Sequence, residues 1–444
     1  MRRIYLLLFL LLLFPLWGGE RGIKEISLKE AIKIARERNS QILLAKERIE
    51  ESKGTTLRLR SYLLPRLSLL LQRYRIKSGT LWLGELSEEL PFTLPLPETV
   101  GPEDFYQEKL RLTIPLLNRK NFLEFSSSRK YEKAREWEAR NTEEEITYQV
   151  IETFLEVLKN KEAVEVARGN LKRYELRMNF LRDKMKAGMA TQLDLEEGKL
   201  KYISAELLLK NTERLLEASL RRLRKILGIP PDTPVEVKGE LIFKPLEVSR
   251  IDIEGVLKSR ADFLAQKERV RAGEERVRAA RAAWLPTLNF YGEIGRRGKE
   301  PDWGEQVEEW NVGIVMRIPV WDSGERKGSL RERESEWKQD KERLGQLRRQ
   351  IIREIKDLRD LLLSSLEEAK YQEDRVEVAE RKLELKEDQY KAGTASYDEV
   401  FNAEVELFQT KFDHIESIFN YNIALAQWFR ALGKIEKAID WISP

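Results

Sequence analysis

The chain has 444 residues, and its 80 lysines and arginines nearly balance its 76 aspartates and glutamates, for a formal net charge of +4 at pH 7. Interleaved charges of this kind argue against a nucleic-acid partner. The sequence has no cysteine and a single histidine, which excludes disulfides, thiolate metal sites and a lipidated N-terminal cysteine. The sequence offers no nucleophile–base pair, phosphate loop or metal cluster. We therefore predict no catalytic residue, no cofactor and no metal site, and a protein that is not an enzyme.

Residues 1–19 have the pattern of a cleaved signal peptide. Arg2 and Arg3 give a basic start, an apolar stretch follows over 4–16, and Gly18-Gly19 supplies small residues at the exit. A transmembrane anchor is the alternative, but the apolar stretch is shorter than the roughly 20 residues that a helix needs to cross a bilayer. We therefore expect the protein to be exported.

The positions of proline predict two long helical hairpins. No proline occurs over 116–229 or over 320–443, and proline is poorly tolerated inside a helix. Gly188 and Gly393 each break one of these windows, so each hairpin is about 100 Å long at 1.5 Å per residue. A shorter helical stretch precedes each hairpin. The predicted helices are 28–62, 118–186, 190–227, 250–284, 322–391 and 396–432.

Apolar and polar residues alternate with period two ahead of each long helix. The alternation is clearest at 288–294 and 310–318, with aromatic residues near the ends, as in transmembrane barrel strands. We predict one β-hairpin in each half of the chain, over 66–115 and 287–319. Four strands cannot enclose a channel, so we expect a homotrimer to supply the rest. An amphipathic sheet on a soluble protein is the alternative.

The two halves of the chain repeat each other. The segment KAGMA at 186–190 returns as KAGTA at 391–395, and similar pairs of segments predict a tandem duplication into two equivalent halves. The halves are expected to be joined and followed by an equatorial belt, with short strands near 235–237 and 241–243. The predicted parts are a signal peptide (1–19), a first structural repeat (20–227) with tip turn 186–190, a linker (228–249), a second structural repeat (250–432) with tip turn 391–395, and a tail (433–444).

These patterns together predict a mainly α fold with an internal two-fold tandem repeat. Long antiparallel helical hairpins form an α-barrel tunnel. Each protomer adds four strands to a trimeric, 12-stranded transmembrane β-barrel.

The order and paired spacing of these motifs resemble the TolC-type outer-membrane efflux family over nearly the whole mature chain. The resemblance implies a homotrimer with its barrel among the lipids of the cell outer membrane and its helical tunnel extending into the periplasm. It also implies an exit duct for an inner-membrane transporter, docked through a periplasmic adaptor (membrane fusion protein), in tripartite efflux or type I secretion. The residues that carry it are Leu64-Pro65, Leu285-Pro286, Ile114-Pro115, Ile318-Pro319, the two Ala-Gly turns, Leu227-Gly228 and Leu432-Gly433.

The resemblance also assigns a docking role to the two tip turns. In the family, such helix–turn–helix tips meet the hairpin tips of the adaptor. The glycines are also expected to end their helices in a left-handed conformation. The corresponding positions here are Ala187, Gly188, Met189, Ala392, Gly393 and Thr394.

A periplasmic gate is the second feature that the resemblance implies. Its candidates by position are Tyr390, Glu399, Asn402 and Asp194. Asn402 departs from the family pattern, which commonly has an acid there, and Ala395 stands where some members carry an arginine. The side-chain contacts that hold the gate closed are therefore expected to be weaker than in the family, or differently built. An acidic ring would favour cations, while the alternative for each acid is a solvated charge on a helix face.

Two other functions fit parts of the sequence. A periplasmic structural coiled-coil protein without channel activity explains the helices but not the strand alternation. A hydrolase with paired carboxylates has many acids to draw on, but pairs arise by chance in a chain that is 35% charged. The exit duct explains both kinds of segment.

Overall fold

The computed structural model describes residues 24–76, 103–248, 251–298 and 307–442. The expected signal peptide, 1–19, lies outside these residues, as do the connections within both predicted β-hairpins. The chain divides into two compact units. We call residues 44–141 and 253–352 the sheet unit, and the remainder the hairpin unit.

Helices make up most of the described chain, and the two longest end at the predicted tip turns. Among the helices described, none is both long and apolar enough to cross a membrane. The helices are α1 (Leu28–Arg38), α2 (Ser40–Ser61), α3 (Arg119–Lys186), α4 (Gln192–Leu227), α5 (Ile253–Ser259), α6 (Ala261–Ala282), α7 (Glu325–Lys391), α8 (Tyr397–Ala431) and α9 (Ile435–Ile442).

The predicted helices 28–62 and 250–284 are each interrupted, which corrects the interpretation of the sequence. Asn39 separates α1 from α2 with an extended backbone (φ −64°, ψ 126°), and its side-chain amide donates to the carbonyl of Ile226 at 2.8 Å. Arg260 separates α5 from α6 with φ −72° and ψ 121°. At Asn39, a short polar side chain that bonds to backbone groups competes with the helical pattern.

The hairpin unit is held together by buried helix faces. On α3, Val150, Phe154 and Leu158 recur every four residues and are at most 3% exposed. On α8, Tyr421 and Leu425 are fully buried. The recurrence places the apolar residues of α3 on one side of the helix, and each buried Val, Leu or Phe side chain contributes about 1.5–3 kcal/mol.

A small parallel sheet and a terminal helix occupy the segments predicted to form a belt. β1 (Lys24–Ile26) pairs with β4 (Val235–Val237), so the predicted strand at 235–237 is present. Most of the predicted tail is the helix α9, whose Trp441 Nε1 donates to the carbonyl of Lys244 at 3.0 Å.

The second strand predicted in the linker, at 241–243, is wrong. The buried hydroxyl of Tyr421 donates to the carbonyl of Lys244 and accepts from the N–H of Leu246, both at 2.9 Å. Asn422 donates to another carbonyl of this stretch at 3.0 Å. Since side chains of α8 satisfy these backbone groups, the segment lies along the helix and pairs with none of the described strands.

The sheet unit contains a four-stranded antiparallel sheet. Its strands are β2 (Arg66–Ile76), β3 (Glu103–Leu117), β5 (Thr287–Gly298) and β6 (Val307–Arg317), in the spatial order β2-β3-β5-β6. Because β3 pairs with β5, the two predicted hairpins form one sheet, with β2 and β6 as its outer strands.

The two faces of this sheet differ in chemistry. Leu69, Leu110, Ile294 and Trp310 lie opposite one another across the four strands, and they are 65%, 40%, 63% and 77% exposed. Side chains alternate between faces along a strand, so the intervening positions present charged and amide side chains on the other side. We call these the apolar face and the polar face.

In the sheet unit, helix α6 presents small residues to its neighbours. The side chain of Ser127 on α3 donates to the carbonyl of Ala272 at 2.8 Å. A Cβ atom at Gly273 would lie 3.3 Å from the indole of Trp337 on α7. Small residues at such positions let helix backbones approach closely, which explains why α6 is rich in alanine.

Candidate functional site

The two tip turns have the same backbone design. Gly188 and Gly393 are left-handed, with φ of 73° and 76°. The N–H of Met189 and that of Thr394 each reach back to the carbonyl five residues earlier, at 2.8 and 2.9 Å. This is the Schellman end of a helix, in which a left-handed glycine lets the last carbonyls find donors. The predicted helix-ending role of both glycines is confirmed.

Each return helix begins with a capping box. Asp194 accepts from the N–H and the hydroxyl of Thr191, both at 2.8 Å, and its own N–H donates to that hydroxyl at 3.2 Å. Glu399 accepts from the N–H and hydroxyl of Ser396 at 3.2 and 3.3 Å. In a capping box two residues satisfy free N–H groups at the helix start reciprocally. Both candidate gate acids thus cap the first turn of a helix.

The residues of both tips are open to contact. All six predicted docking positions are exposed. Met189 is 70% exposed and Leu193, just inside α4, is 67% exposed. The tip between α7 and α8 instead carries Thr394, whose hydroxyl donates to the carbonyl of Gln389 at 3.1 Å. The first tip is therefore the more apolar of the two.

The four predicted gate residues differ in their local contacts. Glu399 accepts from the ammonium of Lys386 at 2.7 Å. The ring of Tyr390 lies edge-on to that of Tyr397, with centroids 5.8 Å apart. Asp194 is bonded within its capping box, and Asn402 is exposed on α8.

A cluster that the sequence interpretation missed joins α3 to α8 near the tips. The guanidinium of Arg177 lies 4.6 Å from the ring centre of Tyr397 and 5.2 Å from that of Phe401, and it is ion-paired with Asp398. Phe180 lies 4.0 Å from Tyr397, measured between ring centres. Arginine stacks well on aromatic faces. The one signal in the sequence was the aromatic pair Tyr397 and Phe401, at helical spacing.

The ionisation of the site follows from these contacts. Hydrogen bonds from Thr191 lower the pKa of the Asp194 carboxyl, and the hydrogen bond from Lys386 is the main cause that lowers the pKa of Glu399. Burial raises the pKa of the Tyr397 hydroxyl. Near neutral pH both acids are therefore charged, and Tyr397 is neutral.

The geometry defines a class of protein. Two long hairpins with matched tips accompany a sheet that exposes an apolar face, and within the described ranges no group of three or more acidic or histidine side chains is placed to hold a metal ion. This combination is typical of a channel or scaffold that docks other proteins, because its distinctive features are surfaces and not a reacting site.

Comparisons with known proteins agree with that class. Residues 253–434 match the family model described as "Outer membrane efflux protein". The chain is 25% identical to the probable outer membrane lipoprotein SilC of Salmonella typhimurium over 61% of this chain and 60% of SilC. It is 20% identical to the proteases secretion protein PrtF of Dickeya chrysanthemi, over 75% of this chain and 78% of PrtF.

A solved structure shares the fold. The CmeC outer membrane channel of Campylobacter jejuni superposes with a TM-score of 0.78 at 16% identity, covering 92% of this chain and 86% of CmeC. The second half of the chain therefore matches the outer membrane efflux protein family, the TolC-type family that the motifs of the chain indicated. The family consists of outer-membrane channel proteins and not of enzymes.

Proposed function

We propose that this protein is the outer-membrane exit duct of a tripartite efflux or type I secretion system. It conducts substrates passively from an inner-membrane transporter and a periplasmic adaptor to the outside of the cell. The names of the relatives support this assignment, since SilC is a probable outer membrane lipoprotein and PrtF a proteases secretion protein.

The observation that carries the proposal is the exposed apolar face of the sheet. Val312 and Ile314 of β6 are 60% and 63% exposed, next to Trp310 at 77%. A soluble sheet would bury such a face against a core, whereas a membrane strand presents it to lipid and turns its polar face to an aqueous lumen.

The number of strands supports a homotrimer. The sheet has four strands, with β2 and β6 at its edges, and unpaired strand edges are costly inside a bilayer. A homotrimer would join β6 of one copy to β2 of the next and close a 12-stranded barrel around the polar face. Each chain has two units of β-hairpin, long helix and return helix. Six such units would then surround the axis of the trimer.

The helical hairpins belong in the periplasm under this proposal. Their exposed tips, at Ala187–Met189 and Ala392–Thr394, would meet the adaptor. The gate would lie just inside the tips, where Asp194 and Glu399 begin the return helices. Ala395 supplies no charge, and the start of α8 is instead approached by Arg177 of α3, which pairs with Asp398, and by Lys386 of α7, which pairs with Glu399.

Fractionation and bilayer recording test the proposal together. We expect the full chain in the outer-membrane fraction, as a trimer whose mobility on a gel changes on heating. Reconstituted into planar bilayers, the purified trimer should give uniform conductance steps. Recovery as a soluble periplasmic monomer without conductance would contradict the duct and favour a structural coiled-coil protein.

A further inference from the structure

A connected network of charges covers the polar face of the sheet. The ammonium of Lys109 on β3 lies 3.4 Å from a carboxylate oxygen of Glu309 on β6 and 3.8 Å from one of Glu293 on β5. Arg111 is ion-paired with Glu293, and Arg297 lies 2.8 Å from Glu309. We call these five residues the polar-face network.

A glycine makes room for this network. Gly295 lies between Lys109 and Glu309 in the register of the sheet, so the lysine reaches its second acid across β5. A Cβ atom at Gly295 would lie 2.8 Å from Cγ of Lys109 and 2.1 Å from the carbonyl oxygen of Glu108. The absence of a side chain at this position therefore allows one cation to serve carboxylates on two strands.

The acids of the network are the inner charges and the guanidinium groups are the outer ones. The side chains of Glu293 and Glu309 are 11% and 25% exposed, whereas those of Arg111 and Arg297 are both 48% exposed. Amides cover the acids further: Asn311 donates to Glu293 at 3.2 Å, and Gln107 donates to Glu309 at 3.5 Å. A solute passing over this face meets arginine first.

The polar-face network also carries a net positive charge. The polar-face network has three cations and two carboxylates, so one positive charge is left over in each copy. On the same face, Arg66 and Arg317 lie at the end of the sheet that joins the helices. Charged walls in a narrow channel concentrate ions of the opposite sign.

On the basis of the proposed function, in which this face lines the duct, we propose that Arg111 and Arg297 form an anion-selecting ring at the level of the sheet. The ligand class is multivalent anions, whose oxygens match the fork of a guanidinium group. Three copies would place six such groups around the lumen.

Block by tripolyphosphate tests this ring. The full chain is reconstituted into planar bilayers, as the wild type and as the double variant Arg111→Gln, Arg297→Gln. Tripolyphosphate is then added to the chamber that faces the sheet end of the duct. We expect tripolyphosphate to block the wild type and to block the variant about tenfold more weakly, the lower end of the effect of a charged cleft. The reversal potential of the variant in a KCl gradient should shift toward cations.

The matched control removes the same charge from the opposite face. Arg296 lies on β5 beside Arg297, and Arg73 lies on β2, the strand that pairs with β3. Both are on the apolar face, with Glu308 and Asp104 as their partners. The double variant Arg73→Gln, Arg296→Gln should keep the block and selectivity of the wild type. If the first double variant does not assemble, Arg297→Gln alone serves, because Glu309 keeps Lys109 as its partner.

The outcomes separate this inference from the function on which it rests. Equal block in all variants, or equal loss in the control, would overturn the ring while the conductance itself still supports the duct. A wild-type protein without any conductance would overturn the proposed function and the ring with it.

Discussion

Arg177 on α3 is ion-paired with Asp398 on α8, so the long helix of the first half is tied to the return helix of the second. The side chain of Arg177 is 14% exposed and that of Asp398 is 68% exposed. An ion pair with one exposed partner contributes little by itself. The aromatic rings around the guanidinium therefore supply most of the contact energy.

Replacing Arg177 with methionine should loosen the tip. Cation–π contacts contribute about 0.5–2 kcal/mol according to their exposure, so Arg177→Met should accelerate amide hydrogen exchange at the end of α3 and the start of α8 about tenfold. Arg182→Met is the control, because Arg182 is exposed and bonds to Asn179 on its own helix, at 3.2 Å. Equal exchange in both variants would show that the cluster does not hold the helices together.

The capping boxes predict a loss of tip stability in acid. Asp194 and Glu399 have pKa values lowered from 3.8 and 4.5 by their hydrogen bonds. A lowered folded-state pKa gives stability that is complete above the unfolded value and is lost as pH falls through the folded one. The amide protection factors at the start of α4 and α8, taken relative to intrinsic exchange at each pH, should therefore fall below about pH 4.5.

Substitution of the caps checks that the acid effect comes from these groups. Glu399→Gln keeps an acceptor for the Ser396 N–H but does not titrate, so it should flatten the acid response of α8 and leave that of α4 unchanged. An acid response of α8 that survives this substitution would assign it to other groups.

The turn glycines should be sensitive to alanine. At Gly393 the backbone has φ of 76°, and a Cβ atom in that conformation costs about 1–2 kcal/mol. Gly393→Ala should lower the free energy of opening the tip by that amount, measured by limited proteolysis. Gly169→Ala is the control, because Gly169 lies inside α3 with open space around it, and alanine there should stabilise by roughly 0.5–1 kcal/mol.

Tyr421 should contribute through its hydroxyl. The buried hydroxyl makes hydrogen bonds to both Lys244 and Leu246, and Tyr421→Phe leaves those backbone groups without a partner. The cost of such a loss is about 1–3 kcal/mol, expected as a lower midpoint of chemical unfolding. Tyr371→Phe, at a side chain that is 57% exposed, should have no measurable effect.

The proposed acidic gate predicts a change in ion selectivity. Glu399→Gln should reduce the preference for cations in a KCl gradient across a planar bilayer, because it would remove one carboxylate from each copy of the proposed trimer. Glu406→Gln is the matched control, since Glu406 lies further along α8 and is likewise bonded to a lysine, Lys382, at 2.6 Å. Unchanged selectivity in Glu399→Gln would remove Glu399 from the gate.

Part of the candidate site could be predicted because its signals are local. Gly188 and Gly393 end their helices through their own backbone conformation, and Asp194 and Glu399 follow a Thr or Ser at capping spacing. Arg177 had no such signal. Its partners on α8 are more than 200 residues away, and nothing in the neighbouring sequence distinguishes it from other arginines of α3.

The sequence by itself determined the helices, the turns and the alternation of the strands. Proline and glycine act on their own backbone, and the period of apolar residues selects helix or strand within a few turns. The tertiary structure alone decided which segments meet. In that structure Lys109 reaches across Gly295 to Glu309. The backbone at Lys244, next to the predicted strand, contacts Tyr421. Contacts of this kind depend on register and on the packing of distant segments, which no local pattern encodes.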